Sequence, residues 1–210
     1  MKHLKLILVL TLTMAMLCGC GGSASVEDLA GEWNMTVASP EEDVTYLLDS
    51  MDLYTEERAF VDQDSLSYVL AANFSTDGSY SFTYDVEANK ACVREFYEGV
   101  MAALYENRAE LTSLYGEEVT DMSREAFDQF YAEAYGMASY EVLMNNLVEY
   151  AFDYDVLGEP LEVGTFTIVG SNLMCTVEGE TEVGSIGFAL DGDTLTLTYS
   201  DGEEVYTRVK

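Results

Sequence analysis

Imidazole is almost missing from this chain: its one histidine, His3, lies among the first five residues. The rest of the protein therefore has no Ser-His-Asp or Cys-His arrangement and lacks the commonest transition-metal ligand. Positive charge is nearly as scarce. Nine Lys and Arg stand against 39 Asp and Glu, a formal net charge of −30. A surface of that sign releases no counterions from a nucleic acid, which excludes nucleic acid as a partner. It also gives no electrostatic grip on anionic lipid. Phosphate-cradling glycine loops, basic patches and thiolate metal sites are absent, and nothing beside the plentiful hydroxyl and amide groups would activate them. The chain reads as a non-enzyme with no cofactor and no metal.

Long apolar runs are lacking too. "LILVLTLTMAM", Leu6 to Met16, is well short of the roughly 20 residues that a bilayer span needs. Preceded by Lys2 and Lys5, it has the form of a signal-peptide core. Directly after it comes Leu17-Cys18-Gly19-Cys20, which resembles the lipobox of bacterial lipoproteins: Leu at minus three, a small residue at minus one, then Cys. The resemblance implies a signal peptide over 1–19 and diacylation, palmitate among the acyl groups, of Cys20. Cys18 does not fit, because bulky Leu17 would sit at its minus-one position. Two acyl chains anchor a protein stably, so the expected address is the extracytoplasmic face of a cell membrane. Residues 20–25 are then the lipidated cysteine and a flexible tether. The five residues "GGSAS" reach at most about 17 Å. Cleavage also removes His3, Lys2 and Lys5.

Cys92 and Cys175 remain. An extracytoplasmic chain can pair them, but two buried apolar thiols are the preferred reading. With nearly half its residues hydrophobic, the chain can build a real core.

Periodicity divides that core into two kinds. Ser25 with Asp28 signals a helical turn that Gly31 is placed to end, and "EWNMTV" alternates as a strand around Trp33, Met35 and Val37. Ser39 as N-cap, Pro40 at the first helical position and Glu42 in a capping box open a short helix striped by Val44, Leu47, Leu48 and Met51. "SLSYVLAANFSTDGSYSFTYD" reads as a hairpin. From about 86 to 152 the period becomes helical. One long helix runs to Leu114 and is closed by Gly116, a second is capped by Ser123, and a third covers "SYEVLMNNLVEYAF". From 162 onward, five alternating segments carry inward Phe166/Ile168, Leu173/Cys175/Val177, Ile186/Phe188/Leu190 and Leu195/Leu197/Tyr199 between short turns. The fold class is mainly β with helical insertions (α+β): about eight antiparallel strands in up-and-down order, a short insertion after the first and a long one near 86–152.

Gly31-Glu32-Trp33, at the head of the first strand, resembles the G-x-W signature of lipocalins. The closing run "FALDGDTLTLTYSDGEEVYTRVK" is similar to the C-terminal hairpins of bacterial lipocalin-like lipoproteins. The resemblance implies a lipocalin-like barrel over 26–210. Trp33 would plug its closed end, and Arg208 would stack on Trp33 within cation–π range. The long helical segment departs from that family, whose strands are mostly joined by short hairpins.

Paired carboxylates could serve a glycosidase, but Asp153, Asp155 and Glu159 read as a solvated loop. "DQD" at 62–64, "DGD" at 191–193 and "DGEE" at 201–204 offer oxygens to calcium, yet none follows the EF-hand spacing. Two functions follow. One is a binding module whose barrel holds a small apolar ligand near the membrane. The other is an interaction lipoprotein whose helical insertion contacts an envelope protein, with the barrel as a solid scaffold.

Overall fold

The computed structural model describes residues 24–152 and 159–210 and contains two compact units. The signal segment, Cys20 and most of the tether lie outside the described residues, as do Asp153 and Asp155. One unit takes the chain up to Met35 with Leu70–Thr83 and Pro160–Lys210, and the other takes Thr36–Val69 and Tyr84–Glu159.

Eight strands close a barrel in strict chain order: β1 (Gly31–Ala38), β2 (Ser67–Phe74), β3 (Ser79–Tyr84), β4 (Glu162–Val169), β5 (Asn172–Val177), β6 (Gly184–Asp191), β7 (Thr194–Thr198) and β8 (Glu203–Arg208). The strands from β3 to β8 pair antiparallel with their neighbours, and β8 returns antiparallel to β1 with Trp33 opposite Arg208. Helical insertions follow β1 and β3. This is the up-and-down barrel that the alternation predicts, because period-two patterning admits one register in which the apolar set faces inward. Tight turns at Gly170 (φ +64°) and Gly192 (φ +60°) force consecutive strands to be antiparallel neighbours.

Before β1, the short helix α1 (Val26–Leu29) is fixed by a reciprocal capping box. Ser25 accepts from the Asp28 backbone N–H, and Asp28 accepts from the Ser25 N–H. Ala30, not Gly31, is the C-cap, while Gly31 already belongs to the strand.

The helical unit contains α2 (Glu41–Ser50), α3 (Thr55–Arg58), α4 (Val86–Glu106), α5 (Thr112–Tyr115), α6 (Arg124–Ala134) and α7 (Tyr140–Ala151). The heptad-like apolar positions pack as their spacing requires. Val44, Leu47 and Leu48 of α2 are buried, as are Val93, Phe96, Tyr97, Val100, Met101 and Leu104 of α4 and Leu143, Met144, Leu147 and Val148 of α7. Three local expectations need correction. Pro40 rather than Ser39 is the N-cap of α2, without a side-chain cap, and the Ser39 hydroxyl donates to the Pro40 carbonyl instead. The long helix stops at Glu106, not at Gly116. No large apolar residue lies between Tyr105 and Leu111 to hold a helix down, and the Asn107 amide side chain donates to the Ala103 carbonyl. Gly116 closes the separate short α5.

Candidate functional site

The G-x-W turn leads into β1, where Trp33 packs against the last strand. Trp33 is fully buried, and its indole N–H donates to the Leu29 carbonyl at 2.9 Å. The Arg208 guanidinium carbon lies 3.9 Å from the centre of the Trp33 ring. Its two terminal nitrogens donate to the Ala30 and Asp28 carbonyls at 2.7 and 2.6 Å. These are carbonyls at the end of α1 that no further helical turn would satisfy, so a cation there is doubly favoured. The glycine of the motif has a steric cause. Gly31 sits at φ +135°, and a Cβ there would stand 2.8 Å from an Arg208 guanidinium nitrogen. Trp33 and Arg208 are thus brought together by direct strand pairing.

Above this plug the interior is packed. Phe74, Tyr80, Phe166, Leu173, Cys175, Ile186, Phe188, Leu195, Leu197 and Tyr206 are buried in one cluster. Phe74 meets Phe82 and Phe166 edge-on at 6.2 and 5.4 Å, and Tyr80 meets Phe82 at 5.6 Å. Gly164 makes room for this arrangement, since a Cβ there would come within 2.7 Å of the Tyr80 ring. Two carboxylates share the inward register with these aromatics. Glu162 accepts from the Tyr80 hydroxyl at 2.6 Å, and Glu204 accepts from the Tyr206 hydroxyl at 2.9 Å. Burial, reinforced by these carboxylates, raises the Tyr80, Tyr199 and Tyr206 phenols.

Cys175 and Cys92 are both free thiols. Cys175 is buried in the barrel, whereas Cys92 is only half-buried on α4, which corrects the expectation of two buried thiols. Burial, with Glu162 facing it, pushes the Cys175 thiol up to about 12. In native protein at neutral pH, iodoacetamide is expected to leave Cys175 unmodified while reaching Cys92 first. Peptide mapping after timed alkylation reads this, with denaturant restoring Cys175 reactivity. Equal native labelling of both would contradict the packed interior.

A cavity of about 610 Å³ lies at β3–β5, lined largely by outward-register residues such as Ser79, Ser81, Thr165 and Thr176. It is half-open to solvent and lined by polar and apolar groups in similar measure, Tyr80, Val163 and Val177 among them, and is not the enclosed apolar chamber a carrier needs.

The helical unit holds a polar site that the sequence pattern does not announce. Glu57 of α3 is 1% exposed, and one of its oxygens accepts hydrogen bonds from the hydroxyls of both Tyr115 and Tyr131. The other oxygen accepts from the Tyr54 backbone N–H at 2.7 Å. Tyr115 and Tyr131 also touch each other, 2.8 Å between hydroxyls. The carboxylate thus ties α3 to α5 and α6. Glu57→Gln would turn an amide donor toward either the Tyr54 N–H or the phenols, leaving a donor unmatched. It is expected to cost about 1–3 kcal/mol, measured by urea unfolding followed by far-UV circular dichroism. An unchanged midpoint would show the network to be solvated. Asn89, also fully buried, works similarly: its amide accepts from the Val69 N–H at 2.6 Å and donates to the Val69 carbonyl at 3.0 Å.

The outer face of the same unit carries an aromatic pair. Tyr46 of α2 and Tyr150 of α7 stack with centroids 6.5 Å apart and planes 7° off parallel, yet remain 41% and 66% exposed. The candidate calcium segments are placed in turns and ends. Asp62 caps the Asp64 N–H, Asp193 bridges Lys210 at 2.8 Å, and Asp201 with Gly202 turns the chain between β7 and β8. Glu159 is exposed. Among the described residues no group of three or more His, Cys, Asp or Glu side chains is placed to hold a metal ion. Comparison with protein-family models, with curated proteins and with solved structures found no match.

Proposed function

We propose that the chain is a lipid-anchored, extracytoplasmic lipoprotein that acts by protein–protein contact, with the barrel as a filled scaffold and the helical unit as the recognition surface. The observation that carries this reading is the barrel interior. The interlocked rings of Phe74, Tyr80, Phe82 and Phe166 occupy the space a ligand would need, in a barrel whose strand number allows either filling or a single small ligand. The exposed Tyr46–Tyr150 pair supports the second half of the reading, since aromatic side chains are enriched where surfaces recognise partners.

Anchoring rests on Leu17-Cys18-Gly19-Cys20, and its test is direct. Intact-mass analysis of protein from its producing cell should give a chain beginning at an acylated Cys20, found in the membrane fraction. Cys20→Ser should abolish acylation and release the protein. Native mass spectrometry of the whole protein then separates the two functional readings. A bare mass supports the filled scaffold, whereas a retained small apolar molecule would return the barrel to a carrier role.

A further inference from the structure

We infer that the α2–α7 face of the helical unit docks a basic, arginine- or lysine-rich segment of a partner protein, an inference that rests on the interaction reading above and gives that partner its chemistry. Three observations converge on this face. The first is the stack itself. Tyr46 and Tyr150 cover each other on one side only and present their remaining surface to solvent at the junction of two packed helices. A tyrosine face is a seat for guanidinium or ammonium, and the same unit already uses that interaction internally, where Arg108 lies 4.1 Å from the Tyr105 ring centre.

The second observation is the sign and availability of charge around the stack. The exposed residues of α2 are Glu41, Glu42, Thr45, Tyr46 and Asp49, and those of α7 include Glu141, Asn145, Asn146, Glu149 and Tyr150. Neither helix carries a cation on that face. The bases of the unit are Arg58, Lys90, Arg94, Arg108 and Arg124. Arg58 bridges Asp49, Lys90 bridges Glu87, Arg94 bridges Glu98 and Glu141, and Arg124 bridges Asp128. Among the described residues Glu41, Glu42 and Glu149 have no such bridge. Their charges face solvent on the two helices that carry the rings, with Glu42 one helical turn from Tyr46.

The third observation is shape. A shallow, open depression lined by Pro40, Glu41, Glu42 and Thr45 lies at the first turn of α2, on the helix that carries Tyr46. An open acidic surface on a helix that also bears an exposed ring suits an extended chain with cationic side chains. A second copy of this chain, with net charge −30, would be repelled. Complementary charge of this kind sets partner choice and encounter rate, while the rings hold the complex once formed.

The test uses the full chain in its producing cell, with a photoreactive amino acid at Tyr46, at Tyr150, and at control positions Glu106 and Glu133 elsewhere on the unit. The cross-linked partner segment is identified by mass spectrometry. A Lys/Arg-rich segment captured from Tyr46 or Tyr150 supports the inference. Capture there of a neutral or acidic segment overturns the assigned chemistry but leaves the interaction reading standing. Capture only from the control positions overturns the assignment of the face. Capture from none of them overturns both. In solution, an arginine-rich synthetic peptide should bind the full chain, and its glutamine-for-arginine counterpart should not. Tyr46→Ser and Tyr150→Ser should each weaken binding about two- to five-fold, and the triple change Glu41→Gln, Glu42→Gln, Glu149→Gln should flatten its salt dependence. Both tyrosines are exposed, so unaltered circular dichroism is expected. Equal peptide binding by the tyrosine variants would reduce the effect to undirected attraction by an acidic surface and overturn the proposal.

Discussion

Trp33→Ala should destabilise the protein by roughly 3–5 kcal/mol, the range for deleting a large aromatic side chain from a packed core. The indole is fully buried, so its removal leaves a void bounded by Leu29 and the inner ends of β1 and β8. Two further losses add to the void. The Leu29 carbonyl loses its indole donor, and the Arg208 guanidinium, 3.9 Å from the ring, loses the surface that fixes it over the end of α1. Since Trp33 lies opposite Arg208 in the β1–β8 pairing, the site is also the seam that closes the barrel. Guanidinium unfolding followed by far-UV circular dichroism measures the change. Trp33→Phe, which keeps a ring under Arg208 but no N–H, should fall between wild type and Ala. A loss below about 1 kcal/mol for the Ala variant would mean that the seam does not depend on this plug. Trp33 is also the only tryptophan, so fluorescence of the unsubstituted protein reports the barrel selectively. Its emission should be that of a dry indole and should shift to the red only when the barrel opens.

The barrel was legible because its information is local and periodic. Each strand from β4 to β8 alternates by itself, and turns such as Gly170 and Gly192 leave no freedom in which strand comes next. The caps at Ser25 and Ser123 were legible for the same reason, each being a short-range hydrogen bond to a backbone N–H within three residues. The sequence resemblance noted for the closing strand pointed to Arg208, and pairing of β1 with β8 supplied the contact.

Where the physics is not local, the sequence was silent. Glu57 stands beside Glu56 in "TEER", and nothing in that run distinguishes the buried acid from its exposed neighbour. Its partners Tyr115 and Tyr131 are 58 and 74 positions away, so only the packed unit reveals the network. Asn89 is hidden in the same way, as one polar residue on a helix whose target, Val69, lies 20 positions earlier. The end of α4 was missed for a different reason. The apolar spacing continues through Leu111 and Leu114, but a local side-chain bond from Asn107 to Ala103 outweighs that periodicity. The face bearing Tyr46 and Tyr150 also needed the fold, because helical spacing within each segment cannot show that two exposed rings from different helices meet.

Raising the pH above 10 should unfold the protein in one steep transition. The chain has 15 tyrosines, and its folded units bury many of their phenols. Burial pushes fully covered Tyr97 from 10.0 up to about 12. Burial, with the charges of Glu57 and Asp52 nearby, takes Tyr135 to about 12 as well. Tyr80, Tyr131, Tyr199 and Tyr206 are raised further by burial and by facing carboxylates. The sign is the same for all. Below pH 10 both folded and unfolded chains hold these protons, and the phenols' contribution to stability is complete. Between 10 and 12 the unfolded chain releases protons that the folded chain retains, so stability falls as pH rises. For Tyr97 alone a shift of that size corresponds to roughly 3 kcal/mol. Against a total of about 5–15 kcal/mol, a few such residues remove the folded state, and self-repulsion from a net charge already at −30 adds to the loss. The checking measurement is a pH titration that follows tyrosinate absorbance and far-UV circular dichroism together. Buried phenols should ionise with the loss of helix and sheet as one cooperative step, and return to neutral pH should restore both. Smooth ionisation of nearly all tyrosines from pH 10, with the circular dichroism unchanged, would show that the phenols are open to water and that neither core is packed as described.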